Sequence, residues 1–126
     1  MGIEGTVPPV TEFTIEEERL RGGHTGIITL GGDVDLHTAP QLRERLSRAI
    51  DDGVELLVVD LANVTFIDSM TLGVLLGASK RMRPRGGQLR LVVSEPSVRK
   101  IFEITLLDRV FDLHASREDA IGGSDA

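Results

Sequence analysis

Phe66-Ile67-Asp68-Ser69-Met70-Thr71-Leu72-Gly73-Val74-Leu75-Leu76-Gly77 is the stretch that decides how the chain is read. Two apolar residues end a strand, and Asp68 stands where a helix N-cap belongs. From there the apolar positions repeat with helical period through Met82, until Pro84 and Gly86-Gly87 stop the helix. Asp68 as the cap puts Ser69 at the first helical position, where little packs around a hydroxyl and backbone N–H groups lack intrahelical partners. Those donors and the helix dipole also stabilise a phosphate placed there.

This helix carries apolar residues on two sides. Leu72, Leu75, Leu76, Ser79 and Met82 share one aspect and are expected to pack on a sheet. Met70, Val74, Gly77 and Arg81 recur at helical spacing on the other. A helix with a single buried face has little use for Met70 and Val74 there. The expected reading is a partner-binding strip of Ser69, Met70, Val74, Gly77 and Arg81, in which small residues permit close approach; scattered exposed apolar residues are the plainer alternative.

Working outward, Leu56-Leu57-Val58-Val59 lies upstream, within a strand predicted over Glu55–Leu61. A continuous apolar run of this kind marks a strand covered on both faces and favours parallel pairing. Before it, Leu42, Leu46, Ala49 and Ile50 define an amphipathic helix ended by Gly53, with Thr38 as predicted N-cap, Pro40 in the first turn and Gln41 completing a capping box. Gly31–His37 reads as a polar connection. Phe13–Arg19 and Gly26–Leu30, separated by Arg21-Gly22-Gly23-His24, read as an N-terminal hairpin. Downstream, Gln88–Val93 is a strand, Pro96 opens a helix with Val98, Ile101 and Phe102, Val110–Leu113 is a short edge strand, and Ser116 caps a final turn. The predicted order is ββαβαβαβα: one α/β domain over residues 12–121 with a mixed, mostly parallel sheet, a flexible leader at 1–11 and a tail at 122–126.

Composition agrees with one domain. The 126 residues suffice for a single core, and the only aromatics are four Phe, so Leu, Ile, Val and Ala must build it. The absence of cysteine excludes disulfides and thiolate chemistry. A net charge of −6 opposes general attraction to nucleic acid or anionic membranes. With no apolar run of membrane-spanning length and no secretory signal at the start, the expected location is cytoplasmic. The charge is segregated: residues 1–67 carry net −7, residues 68–105 net +4, and residues 106–126 net −3. Lys80, Arg81, Arg83, Arg85, Arg90, Arg99 and Lys100 form the basic block, read either as solvated positions or as half of a charge-matched interface.

No catalytic constellation emerges. His24, His37 and His114 are far apart and outside any metal-spaced motif, and no nucleophile elbow, phosphate loop or His-Glu-x-x-His is present. Asp33 and Asp35 are a weak pair of cation ligands and serve equally as turn residues that satisfy local donors. The expectation is a protein that is not an enzyme and needs no cofactor or metal.

The run Asp68-Ser69-x-x-Leu72-Gly73-Val74-Leu75-Leu76-Gly77 resembles the anti-sigma factor antagonists, which have the STAS (sulfate transporter and anti-sigma factor antagonist) fold. The resemblance extends to Gly32-Asp33-Val34-Asp35, Val58-Val59-Asp60-Leu61 and Gly86-Gly87-Gln88-Leu89, over residues 12–120. It implies that Ser69 is a phosphorylation site flanked by the acidic positions Asp35 and Asp68. The implied partner is an anti-sigma factor that is itself a serine kinase and brings its own ATP and magnesium. The unphosphorylated antagonist binds this kinase and frees a sigma factor, phosphorylation releases the antagonist, and a metal-dependent serine phosphatase resets it. The sequence departs from the family pattern after Ser69, where a small hydroxyl residue and a glycine are usual and Met70 and Thr71 stand instead. Two other readings stay open: an unmodified STAS interaction module of a signalling or transporter assembly, and a small nucleotide- or anion-binding domain.

Overall fold

Along the central strand, neighbouring residues go to opposite cores. Leu57, Val59 and Leu61 are buried in one cluster while Val58, between them, is buried in another. This is the period of two of a strand covered on both faces. The computed structural model describes residues 12–122, so the expected leader and nearly all of the tail lie outside the described residues.

The strands are β1 (Thr14–Leu20), β2 (Thr25–Val34), β3 (Leu56–Ile67), β4 (Gln88–Val92) and β5 (Asp112–His114). They form one five-stranded sheet in the order β1-β2-β3-β4-β5. The hairpin β1–β2 is antiparallel, and β2–β3, β3–β4 and β4–β5 are parallel. The helices are α1 (Ala39–Asp51), α2 (Ser69–Met82), α3 (Pro96–Ile104) and α4 (Arg117–Gly122). The order and mixed sheet are those expected from the sequence.

One face of the sheet, with Ile28, Leu30, Leu57, Val59 and Leu91, meets the apolar sides of α1, α2 and α3 in the main core. Phe102 and Phe111 meet edge to face there, with centroids 5.8 Å apart. On the other face Ile27, Val58 and Val92 form a small cluster with Ala120 of α4. Arg117 ties α4 down: its guanidinium donates to Asp60 Oδ2 at 3.1 Å and to Thr29 Oγ1 at 2.7 Å. The Asp60 carboxylate, nearly buried in β3, is thereby charge-paired.

Two expectations are corrected. Gly31–His37 is not a polar connection throughout, because β2 continues through Val34 beside a β3 that itself runs to Ile67. The extension depends on bulges between Thr29 and Gly31 and between Gly32 and Asp33. A Cβ at Gly31 would stand 2.6 Å from Thr14 Oγ1, and Gly32 has φ of 79°, so glycine permits both the approach and the kink. Second, the capping box of Thr38 and Gln41 does not form. The Thr38 hydroxyl instead turns back to Asp35, accepting its N–H at 2.9 Å and donating to its carbonyl at 3.1 Å.

Candidate functional site

The extended β2 and β3 end side by side. Their parallel register sets Asp33 beside Phe66 and Val34 beside Ile67. The next residues, Asp35 and Asp68, therefore leave the sheet together at its C-terminal edge. Asp33, Asp35, Asp68 and Ser69 are gathered there, although they span more than thirty positions of sequence. The C-terminal edge is where parallel α/β sheets commonly carry their sites.

Asp68 is the N-cap of α2, with extended backbone and its Oδ1 accepting the Thr71 N–H at 2.9 Å. The Thr71 hydroxyl donates to the same oxygen at 2.9 Å, with the Val34 carbonyl at 3.3 Å. The Asp68 N–H also reaches the Val34 carbonyl, at 3.3 Å. The helix start is thus tied both to itself and to the end of β2. Thr71 is fully buried, so its hydroxyl serves capping and packing and is closed to modification. Ser69 is exposed at the first helical position.

Asp33 and Asp35 are already engaged. Asp33 lies within β2, where its Oδ1 accepts the Thr65 hydroxyl at 2.9 Å. Asp35 Oδ1 accepts the His37 N–H at 2.9 Å and holds the turn into α1. Among the described residues no group of three or more His, Asp or Glu could hold a metal ion.

Three large apolar side chains stand exposed around this edge: Leu36 at 57%, Met70 at 50% and Phe66 at 48%. Leu36 and Met70 line a cavity of about 450 Å³ with Ala39, Pro40, Arg43 and Ser47. Beside it, a groove of about 390 Å³ between α1 and α2 is lined by Gly73, Val74, Gly77 and Arg81, again with Arg43 and Ser47. A Cβ at Gly73 or Gly77 would meet nothing within 4 Å, so the lack of side chains there is what leaves the groove open.

The expected strip on α2 needs one correction. Met70 and Gly77 are exposed, but Val74 is only 7% exposed and belongs to the main core. Helical periodicity puts Val74 on a flank away from the sheet, and α1 packs alongside α2 and covers that flank. Val74 is floor, not rim. Arg81 bridges the same two helices, donating to Asp51 Oδ1 at 2.9 Å and Ser47 Oγ at 3.2 Å. Sequence reasoning overlooked Leu36, an apolar residue isolated in a polar run, and the α1 side of the groove, which only tertiary packing creates.

The STAS domain family profile matches residues 18–120. The anti-sigma-B factor antagonist of Bacillus subtilis is 32% identical over 94 residues, which are 75% of this chain and 85% of that protein. An anti-sigma factor antagonist from Mycobacterium paratuberculosis superposes with a TM-score of 0.81 at 26% identity, covering 90% of this chain and 94% of its own. The Bacillus cell fate determinant SpoIIAA, solved in its phosphorylated form, superposes with a TM-score of 0.70 at 28% identity, covering 88% of this chain and 99% of its own. The chain belongs to the STAS-domain family, among the anti-sigma factor antagonists.

Proposed function

We propose that this chain is a partner-switching regulator without catalytic activity of its own, working in the cytoplasm through the edge that carries Ser69. In its unphosphorylated form it docks on an anti-sigma factor serine kinase and thereby releases a sigma factor. Phosphorylation of Ser69 ends the complex, and a serine phosphatase restores the hydroxyl. ATP and magnesium belong to the kinase, and this chain supplies the acceptor oxygen.

The observation that carries this reading is an exposed hydroxyl at a capped helix start, on a sheet edge where Leu36, Phe66 and Met70 are also exposed. These exposed apolar side chains give a partner something to bury at the edge that carries the hydroxyl. Met70, Gly77 and the groove floor at Val74 form the docking face, with Arg81 holding its far wall and Asp33, Asp35 and Asp68 supplying the acidic side.

Charge explains the release. A phosphate adds about −1.5 to −2 charges at neutral pH. Against a carboxylate about 6 Å away, each unit costs roughly 0.7 to 2.8 kcal/mol for effective dielectrics of about 80 to 20. A hundredfold loss of affinity needs only about 2.8 kcal/mol. Repulsion and desolvation at a covered interface therefore act without refolding.

The test is a binding measurement with the cognate kinase by calorimetry. Ser69→Ala is expected to bind as tightly as the native chain and to take up no phosphate from the kinase and ATP. Ser69→Asp is expected to bind about a hundredfold more weakly. Equal affinity for the two variants defeats the charge switch, and phosphate found by mass spectrometry at another residue defeats the assignment of Ser69.

A further inference from the structure

At the opposite end of α2 from Ser69 the charge pattern changes. Lys80, Arg83 and Arg85, on the last turn of α2 and the 3-10 turn that follows, are exposed and make no ion pair or side-chain hydrogen bond among the described residues. The same holds for Lys100 on α3 and Arg109 after it. By contrast Arg81 and Arg90, in the same stretch of sequence, are tied to Asp51 and Asp112. The basic block seen in the sequence is thus divided by the fold into arginines spent on internal contacts and a set of free cations.

Among those free cations stands an apolar patch. Ile104 is 71% exposed, Leu106 55% and Val110 40%. Ile104 follows Lys100 by one helical turn, and Val110 shares a cleft with Arg83 and Ser79. Leu106 has φ of 63°, in the left-handed region where glycine usually ends a helix. A leucine there gives up local backbone stability while presenting its side chain to solvent, the combination in which a strained residue points to function.

We propose that this end of the domain is a second docking surface, and that its occupant is an acidic protein segment with apolar anchors. The free cations supply the charge complement, and Ile104, Leu106 and Val110 supply the area to be buried. Exposed Glu103 and Asp108 lie within the patch. They oppose a uniformly anionic bilayer but can each face a cation on a protein. α2 separates this surface from Ser69 by 14 residues, about 20 Å of helix, against a screening length of about 8 Å at physiological salt. The two surfaces are therefore electrostatically independent, and the second stays occupied whether or not Ser69 carries phosphate. That lets a modifying enzyme or scaffold hold the chain throughout the switching cycle. The surface itself does not depend on the assignment of Ser69.

The probe is a synthetic helical peptide of Glu with Leu at i, i+3, i+4 and i+7, titrated into the full chain and followed by amide NMR shifts. Shifts are expected at residues 80–85 and 100–110 and not at Leu36 or Met70. Affinity is expected to fall about tenfold on raising salt from about 50 to about 300 mM. Lys80→Glu combined with Arg83→Glu and Arg109→Glu should abolish the shifts, and Ser69→Asp should leave them within about twofold. Leu106→Gly separates anchoring from folding: it should leave the melting temperature unchanged or higher while weakening the peptide at least about fivefold. The proposal is overturned if the peptide shifts the Leu36–Met70 edge instead, or gives no shifts. It is equally overturned if a version with Gln for Leu binds as well, if Leu106→Gly binds normally, or if vesicles containing phosphatidylglycerol bind the patch and the peptide does not.

Discussion

The position of Ser69 rests on its neighbours Asp68 and Thr71. Asp68 accepts both the N–H and the hydroxyl of Thr71, and the Val34 carbonyl closes the group from the neighbouring strand. The Asp68 N-cap was legible in the sequence as an acidic residue before a helical repeat. The bond to Val34 was not, since it joins positions 37 apart that meet only when β2 and β3 pair. Thr71→Val keeps the shape and deletes the hydroxyl, so we expect about 1 kcal/mol less stability in urea unfolding. Asp68→Ala should cost about 1–2 kcal/mol by loss of the cap, whereas Asp68→Asn keeps an acceptor and should cost under about 0.5 kcal/mol. If Asp68→Asn destabilises as much as Asp68→Ala, the charge and not the cap holds the helix start.

At the scale of elements, α1 and α2 create the groove that neither contains alone. The face of α2 on the sheet was readable from the spacing of Leu72, Leu75 and Met82, all buried as expected. The role of Val74 was misread because helical periodicity reports how a helix is divided between burial and exposure, and does not say which neighbour covers each flank. Gly77 offers the direct test. Nothing lies within 4 Å of a Cβ placed there, and leucine is the better helix former by close to 1 kcal/mol. Gly77→Leu should therefore hold or raise the melting temperature while filling the groove and weakening the kinase complex about tenfold or more. Unchanged binding would remove the groove from the docking face.

Over the whole molecule, the sheet is insulated unequally. Three helices share the main core, while α4 sets its own Ala120 on three buried sheet residues and relies on the reach of Arg117 across to Asp60 and Thr29. Arg117→Ala leaves the carboxylate of Asp60, whose side chain is 10% exposed, with the Ala62 N–H as its remaining bond. We expect a loss of about 2 kcal/mol, with faster amide exchange confined first to residues 117–122. Exchange that rises equally in α1 and α2 would show that α4 unfolds only with the whole domain. The sequence by itself determined the element order, the central covered strand, the hairpin and the helix start at Asp68. Each follows from local periodicity and capping chemistry, which act over a few residues. Only the tertiary structure decided that Gly31-Gly32 carry a bulged strand onward, that Val74 is covered, and that Leu36 stands beside Met70. It also divided the basic block into bridges and free charges. Such outcomes depend on which distant surfaces come into contact, and contact between distant surfaces leaves no periodic mark in the chain.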